Sequence, residues 1–311
     1  MPGARRRNIM NPVSLKSYRS CRLCPWECGV DRAAGELGRC EAPATVKIAD
    51  YMPHFGEEAC LVGDTGSGAV FFSHCTLRCL FCQTWEMSWK GEGTEIGQER
   101  LSDCFLWLEA EGCVNLNLIT PTHYLPHILQ ALERARTAGF SLPVVYNTSS
   151  FERVEVLKAV QGVVDIYLAD FKFWEPETAK KLCGSPDYPE TARRALVEMR
   201  RQVGDLQTDG RGLARRGVLL RHLVLPGYLG ETFAILDWVA ETLSTETHLN
   251  LMGHFRPCHL ARTVPTLART LSRSEYEAAK RHARAKGLHR IDTTHERLYE
   301  MLWSPEPRGQ G

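Results

Sequence analysis

An apolar run passes directly into three closely spaced cysteines in the stretch Ala69-Val-Phe-Phe-Ser-His74-Cys75-Thr-Leu-Arg-Cys79-Leu-Phe-Cys82. The first six residues have the apolar and aromatic character of a buried strand, and the cysteines follow where that strand would end. Cysteines cluster this tightly mainly to bind metals, and thiolates suit iron–sulfur and zinc sites. Three thiolates at x3 and x2 spacing can hold three irons of a [4Fe–4S] cubane, so the fourth iron is left with an open position. The stretch therefore predicts a strand that leads into an incompletely ligated metal site.

Five more β-rich apolar runs follow this one, and amphipathic segments separate them. The predicted strands lie at 69–74, 114–120, 143–148, 166–173, 217–225 and 248–255. The predicted helices lie at 99–111, 126–138, 152–160, 190–203 and 231–243, with a last one at 274–286. This alternation is typical of an α/β fold with a parallel sheet and crossover helices. Right-handed crossovers would curl the units into a partial (β/α)6 TIM-like barrel, with chemistry at the carboxyl ends of the strands.

A second group of cysteines, Cys21-x2-Cys24-x3-Cys28-x11-Cys40, precedes the first strand. Four thiolates are enough to close a tetrahedral zinc site or to saturate a second [4Fe–4S] cluster, and both alternatives stay open. The surrounding segment is rich in glycine and proline and shows little periodicity. We therefore expect the metal to stabilise a small segment that cannot fold on a core of its own.

These patterns divide the chain into four parts. Residues 1–20 carry basic and no acidic side chains and are predicted to be a flexible tail. Residues 21–60 form the cysteine-rich metal-binding segment, 61–260 the partial barrel, and 261–311 a C-terminal helical extension.

Composition and charge limit the environment and the partners. The 311 residues are 43% hydrophobic and 24% charged with a net charge of +1, which is ordinary for a soluble globular protein and gives no general reason to expect nucleic acid or a membrane as the partner. The chain has neither an apolar run long enough to cross a membrane nor the apolar core of a secretory signal at its N-terminus, so we predict a cytoplasmic protein. In that reducing compartment, twelve cysteines indicate metal binding rather than disulfides. Five isolated cysteines are predicted to be small buried hydrophobes: Cys60, Cys104, Cys113, Cys183 and Cys258.

The spacing of Cys75, Cys79 and Cys82 resembles the motif of the radical S-adenosylmethionine (SAM) superfamily. The resemblance implies that these three residues ligate a [4Fe–4S] cluster and that SAM binds the open iron. In that superfamily the reduced cluster donates an electron to SAM, which yields methionine and a 5′-deoxyadenosyl radical that abstracts a hydrogen atom. The resemblance thus makes the three cysteines both the metal ligands and the catalytic centre.

Four further segments within 69–257 resemble the activating enzymes of glycyl radical enzymes, such as pyruvate formate-lyase activase. They are Tyr146-Asn-Thr-Ser-Ser-Phe151, Ala169-Asp-Phe-Lys172, Leu220-Arg-His-Leu-Val-Leu-Pro-Gly227 and Asn250-Leu-Met-Gly-His-Phe-Arg-Pro257. Matching them to the family motifs implies a set of SAM-contacting residues: Asn147, Asp170, Lys172, Arg221 and His254. Structural ion pairs are the alternative for the charged members of this set.

One family motif is replaced in this chain. Activases have Gly-Gly-Glu-Pro after the second strand, where backbone and acid bind the methionyl ammonium, but the equivalent stretch here is Ile119-Thr-Pro-Thr-His123. No carboxylate is present, so Thr120 and Thr122 are the expected ammonium contacts. His123 is either an active-site residue or an ordinary core or surface histidine. A stretch that begins Cys183-Gly-Ser-Pro-Asp-Tyr188-Pro resembles an activase-related group of uncharacterised radical SAM proteins.

Three functions follow as hypotheses. The first is a radical SAM oxidoreductase that activates a glycyl radical enzyme, with a flavodoxin or ferredoxin as electron donor and a protein as substrate. The second is radical modification of RNA or of a small metabolite, favoured by the replaced acidic motif and by the dense arginines within 193–221. The third is a non-catalytic iron–sulfur or zinc protein for electron transfer or assembly.

Overall fold

The computed structural model describes residues 13–303 as alternating strands and helices. The strands are β1 (Val46–His54), β2 (Ser67–Phe72), β3 (Thr94–Ile96), β4 (Leu116–Ile119), β5 (Val144–Thr148), β6 (Ile166–Asp170), β7 (Gln207–Thr208), β8 (Ala214–Leu223) and β9 (His248–Met252). The helices are α1 (Ala59–Val62), α2 (Trp85–Trp89), α3 (Gln98–Ala110), α4 (Leu125–Thr137), α5 (Val154–Ala159), α6 (Pro176–Cys183), α7 (Tyr188–Val203), α8 (Leu229–Trp238), α9 (Arg273–Ala285) and α10 (Glu296–Trp303).

Six parallel strands form the core of the sheet, in the order β2-β4-β5-β6-β8-β9. Each corresponds to one of the six predicted strands, and helices α3, α4, α5, α7 and α8 connect them as predicted. Strand residues such as Val145, Leu168 and Leu219 are fully buried, as expected for a parallel sheet covered on both faces. The predicted α/β class is confirmed.

Two antiparallel strands that the sequence did not predict extend the sheet beyond β2. Strand β1 pairs with β2, and β3 pairs with the start of β1. Most side chains of β1 are at least partly exposed, and the strand contains Pro53, so it has no continuous apolar run. The predicted boundary of the cysteine-rich segment at residue 60 is therefore displaced, because residues 46–54 already belong to the sheet.

The segment after β1 lies against one face of the sheet and contacts strands that are far apart in the sheet order. Asn117 in β4 donates a hydrogen bond of 3.1 Å to Glu57, and Asn250 in β9 donates one of 2.6 Å to Glu58. Three strands separate β4 from β9. Two consecutive residues can reach both only if the sheet curves around them. The closer description as a partial barrel stays a prediction.

Residues at the two ends of the chain differ from the predicted layout. Residues 1–12 and 304–311 lie outside the described part, but Leu15–Ser20 form a short 3-10 helix, and Val13 and Tyr18 are buried. The ring of Tyr18 packs under the guanidinium of Arg32 at 4.3 Å. This aromatic contact places residues 13–20 in the folded chain, where the basic composition had predicted a tail.

Two helices, α9 and α10, lie in the predicted C-terminal extension. Helix α9 matches the predicted helix and begins with a capping box between Ser272 and Glu275, whereas α10 was not predicted. In the described part of the chain, no helix is both long enough and apolar enough to cross a membrane.

Candidate metal centre

The loops at the carboxyl edge of the sheet contain backbone that few residue types tolerate. His74 after β2, Thr120 after β4 and Ser150 after β5 all have positive φ angles, between 58° and 69°. Arg78, between the first two cysteines of the motif, has a φ of 53°. Left-handed backbone is uncommon outside glycine, and a β-branched threonine there is a clear outlier. Such strain clusters at functional sites, so it points to the edge where the sequence predicted the site.

The three cysteines of the loop at 75–82, here called the cysteine loop, lie close to one another at this edge. Cys79 is 8% exposed, and Cys75 and Cys82 are partly exposed. Burial raises the pKa of the Cys79 thiol well above its usual range; Lys172 opposes this, and Cys75 and Cys82 add to it. The Leu77 N–H points at the sulfur of Cys75 from 3.4 Å. Ser88 donates a bond of 3.1 Å to the sulfur of Cys82.

A lysine–aspartate pair adjoins the cysteine loop. Lys172 donates to Asp170 at 2.5 Å, and each side chain is 19% exposed. Burial disfavours the charged amine, but Asp170 and the sulfur of Cys79 together raise the pKa of Lys172 above its ordinary value. The strand end of β6 therefore places a fixed positive charge beside the sulfurs.

Arg221 forms a buried ion-pair network with Glu57 and Glu58, which the sequence did not predict. Its guanidinium binds Glu58 through two bonds, of 2.7 and 2.6 Å, and also contacts Glu57. Burial would raise the pKa of Glu58, but Arg221 holds it below its usual range. Arg221 thus forms a structural ion pair, which was the alternative to a SAM contact. The sequence carried one weak signal of this network: two consecutive acidic residues precede the apolar stretch Cys60-Leu-Val62.

The two threonines of the replaced motif face different surroundings. Thr120 is partly exposed at the end of β4, whereas Thr122 is buried and donates to Glu152 at 2.6 Å. Glu152 also accepts a bond of 2.6 Å from Thr148, and burial raises its pKa to about 7. His123 is a core histidine whose Nε2 lies 2.8 Å from the carbonyl of Ser73. Among these residues, only Thr120 has part of its surface free for a ligand.

The other two SAM-contact candidates also lie at the carboxyl edge. Asn147 is partly exposed near the end of β5. His254 follows β9, lies 3.4 Å from the hydroxyl of Tyr299 in α10, and has its pKa lowered to about 4 by burial and by His295. A cavity of about 250 Å³ runs from Gln83, next to the cysteine loop, to His254. It is large enough for a small planar group.

The members of the four-cysteine site (Cys21, Cys24, Cys28 and Cys40) lie near enough for the other three to influence the pKa of Cys24. Cys28 is exposed and the other three are buried. Burial raises the pKa of Cys24 well above its usual value, and Cys40, Cys21 and Cys28 contribute to the rise. The Arg39 N–H bonds the sulfur of Cys28 at 3.3 Å.

The surroundings of these sulfurs fit a four-thiolate metal group. A side chain at Gly38 would approach the sulfur of Cys28 to 3.0 Å, so this glycine keeps the space beside the sulfur open. Within residues 13–303, no three Cys, His, Asp or Glu side chains are close enough to hold a single metal ion. Ligands of a cubane bind different irons and lie farther apart than ligands of one ion. The four sulfurs are therefore not spaced for a single zinc ion in the described chain, and zinc and a second cluster both stay predictions for this site.

The four-cysteine site packs directly on the cysteine loop. Trp26 donates a bond of 2.6 Å to the carbonyl of Thr76, beside Cys75. Arg78 pairs with Glu41 at 2.6 Å. The segments that carry the two groups of cysteines are therefore in direct contact.

Cys183, at the end of α6, is a neighbour of the cysteine loop that the sequence treated as an ordinary core residue. It is among the groups that raise the pKa of Cys79. Its thiol donates to the carbonyl of Ala179, one turn back in its own helix, at 3.0 Å. This bond directs the thiol toward its own helix, although Cys183 remains a neighbour of the loop.

The fold and this site together define a class: an α/β protein whose parallel sheet carries a cysteine loop and buried charged groups at its carboxyl edge. The chain is similar to "Uncharacterized protein MJ0674" of Methanocaldococcus jannaschii, with 28% identity over 280 residues, which cover 86% of this chain and 75% of that protein. No protein-family model matches the chain.

Proposed function

We propose that this protein is a radical SAM enzyme that cleaves SAM reductively at a [4Fe–4S] cluster held by Cys75, Cys79 and Cys82. The observation that carries the proposal is that Cys75, Cys79 and Cys82 lie on one loop after a parallel strand, near enough for Cys75 and Cys82 to raise the pKa of Cys79, while the thiol of Cys183 is bonded to its own helix. A structural or purely electron-carrying site has no use for an open ligand position. When bound, the cluster would supply one electron to the sulfonium of SAM, giving methionine and the 5′-deoxyadenosyl radical.

The residues around the loop suit the binding of an amino-acid group. Lys172 offers a positive charge for the methionyl carboxylate, and its bond to Asp170 holds the amine in place. Asn147 can hydrogen-bond ribose hydroxyls, and the cavity beside His254 has room for the adenine. Thr120 would offer its carbonyl and hydroxyl to the ammonium. Arg221 would not contact SAM directly, because its guanidinium is already bonded to Glu57 and Glu58.

A partial (β/α)6 barrel is the architecture that we infer for this site. Contacts from Glu57 and Glu58 to β4, β8 and β9 support strong curvature of the sheet. Leu61 packs on the same face as Val145 and Leu219 and fills the space that such a curve would enclose. The carboxyl ends of the strands would then surround a single mouth.

Hydrogen abstraction from a glycine of a partner enzyme is the outcome we favour for the radical. The arginine-rich stretch that supported the RNA alternative is largely neutralised by its own neighbours. Most of its arginines pair with a carboxylate: Arg193 with Glu190, Arg200 with Asp205, Arg201 with Glu198, and Arg211 and Arg215 with Asp209. This pairing lowers the positive charge that the stretch could offer to phosphates.

The decisive experiment is anaerobic reconstitution with iron and sulfide, followed by EPR of the dithionite-reduced protein with and without SAM. We expect SAM to shift the cluster signal and 5′-deoxyadenosine to appear. The Cys79→Ala variant should form none. Iron binding with no response to SAM, or cleavage by Cys79→Ala, would refute the proposal and favour the electron-transfer alternative.

Cys183→Ser is the matched control. If three cysteines hold the cluster, this variant keeps both the EPR response and product formation. Loss of iron in Cys183→Ser would mean that a fourth thiolate completes the cluster, and the proposed open position would be lost.

A further inference from the structure

We propose that a basic cleft beside the cysteine loop is the docking site for an acidic protein that carries single electrons. The inference rests on the proposed function, because only a redox site at the loop gives such a carrier a purpose. It adds to that function a partner surface and the residues that form it.

The cleft lies where three parts of the chain meet, and it has a volume of about 430 Å³. Its walls are the end of the four-cysteine segment at Gly38 and Arg39, the cysteine loop, and the last turn of α6. A backbone bond of 2.9 Å from Leu80 to Leu182 ties the loop to that turn. The walls of the cleft are thus hydrogen-bonded to each other.

Positive charge dominates the lining. Four cationic side chains, Arg39, Arg78, Lys180 and Lys181, face a single carboxylate, Glu41. The whole chain carries a net charge of only +1, so this excess is local. A concentrated patch of one sign steers an oppositely charged protein and orients it on arrival.

The two arginines are held in place before any partner arrives. The guanidinium of Arg39 lies 4.7 Å from the ring centre of Trp26, and that of Arg78 lies 4.7 Å from the ring centre of Trp89. Arg78 also donates to the carbonyls of Arg39 and Trp89. Side chains that are already ordered lose less entropy when a partner binds.

The residue that precedes the cleft-lining Gly38 in the chain is an exposed leucine. Leu37 is 55% exposed and precedes Gly38 and Arg39 in the chain. Protein interfaces combine an apolar centre with a polar, charged rim, whereas a small anion would have no use for an exposed leucine. The combination favours a protein as the occupant.

The position of the cleft explains why that protein would be an electron carrier. Thr76, Leu77 and Leu80, which flank Cys75 and Cys79 in the chain, line it together with Cys183. A carrier seated there would contact residues that are next to Cys75 and Cys79 in the chain. A reduced flavin or iron–sulfur protein would give up one electron, and the metal site of the cysteine loop would accept it, so the exchange balances without a further reactant.

The test measures binding of a purified acidic flavodoxin and, separately, of an acidic ferredoxin, by calorimetry at low and at high salt. The variant is Lys180→Glu/Lys181→Glu, which reverses two exposed charges on the last turn of α6. The matched control, Arg281→Glu/Arg284→Glu, makes the same charge change on the exposed face of α9. We expect salt-sensitive binding that the cleft variant weakens roughly tenfold and the control by less than about twofold.

A second measurement separates this inference from the proposed function. Dithionite reduces the protein without docking, so 5′-deoxyadenosine formation with dithionite should be equal in the wild type and the cleft variant, whereas formation with the reduced carrier should fall. Failure of the wild type with dithionite would refute the proposed function, and the binding data would still decide the docking site. The docking site is refuted if neither carrier binds, if both double variants weaken binding equally, or if only an RNA oligonucleotide occupies the cleft.

Discussion

Two cationic side chains at the site, Lys172 and Arg221, each have a partner of opposite sign. Lys172 pairs with Asp170, and Arg221 pairs with both Glu57 and Glu58. The sheet register places Asp170 and Arg221 opposite each other on neighbouring strands. Because a buried ion is costly without a partner, removing one member of such a set should be far more damaging than removing a surface charge.

Arg221→Met should lower the free energy of unfolding by about 3–5 kcal/mol at neutral pH, since it leaves two buried carboxylates without a counter-ion. The loss should shrink in acid, where protonation of Glu58 removes its uncompensated charge. Urea unfolding at both pH values measures it. Arg194→Met, at an exposed position of α7, should change stability by less than about 0.5 kcal/mol. A loss below about 1 kcal/mol for Arg221→Met would show that the network relaxes or takes up water.

Glu152→Gln should remove a pH dependence of stability. Burial raises the pKa of Glu152 from 4.5 to about 7, so between these values the folded chain keeps a proton that the unfolded chain has lost. Wild-type stability from this group therefore falls as pH rises through that window, by up to about 3 kcal/mol. Thermal unfolding of both proteins across the window tests this, and histidine contributions cancel in the difference. Parallel curves would mean that Glu152 is ionised in the folded state.

At the scale of elements, the four-cysteine segment depends on contacts with the rest of the chain. It has no strand and only short 3-10 turns before β1. Trp26 connects it to the core through an edge contact with Phe151, with ring centres 5.5 Å apart, and through the bond to Thr76. The indole of Trp26 thus fastens the segment to the rest of the chain.

Trp26→Phe keeps an aromatic ring against Phe151 but loses the donor to Thr76. Because that carbonyl would be left without a partner, we expect a loss of about 1–3 kcal/mol and faster proteolysis of residues 13–45. Trp107→Phe, on the outer side of α3 and 41% exposed, should leave both unchanged. Equal proteolysis of wild type and Trp26→Phe would show that the bond does not hold the segment.

At the scale of the whole molecule, the four-cysteine site and the cysteine loop contact each other directly. Metal binding at one of them should therefore also stabilise the other. Ligands that bind only the folded state raise its stability by mass action. Reconstituted protein should therefore melt at a higher temperature than metal-free protein, and residues 21–45 should gain the most protection from proteases.

Metal content distinguishes the two alternatives for the four-cysteine site. With two clusters, the reconstituted chain should contain about eight irons, and Cys24→Ser/Cys40→Ser should retain about four. With zinc at this site, the variant should lose one zinc and keep all its iron. Cys104→Ser is the control, because this buried cysteine lies in α3, in neither group. Loss of all metal in the double variant would show that the two sites cannot be filled independently.

Much of the fold was predictable because it depends on local patterns. The six parallel strands are apolar runs of the expected length, and their crossover helices have apolar faces at helical spacing. The antiparallel strand β1 was missed because its side chains are mostly at least partly exposed. Residues 13–20 were missed as part of the fold because their contacts, such as Tyr18 with Arg32, lie outside any periodic element.

The sequence by itself determined the α/β class, the position of the cysteine loop after the first parallel strand, and the grouping of four cysteines before it. Spacing and apolar periodicity carry that information, since both act over a few residues. Only the tertiary structure decided that Glu58 neutralises Arg221, 163 residues away, that Thr122 is bonded to a buried Glu152, and that α6 completes a basic cleft. These pairings depend on which side chains the curved sheet brings together, and no local pattern encodes that.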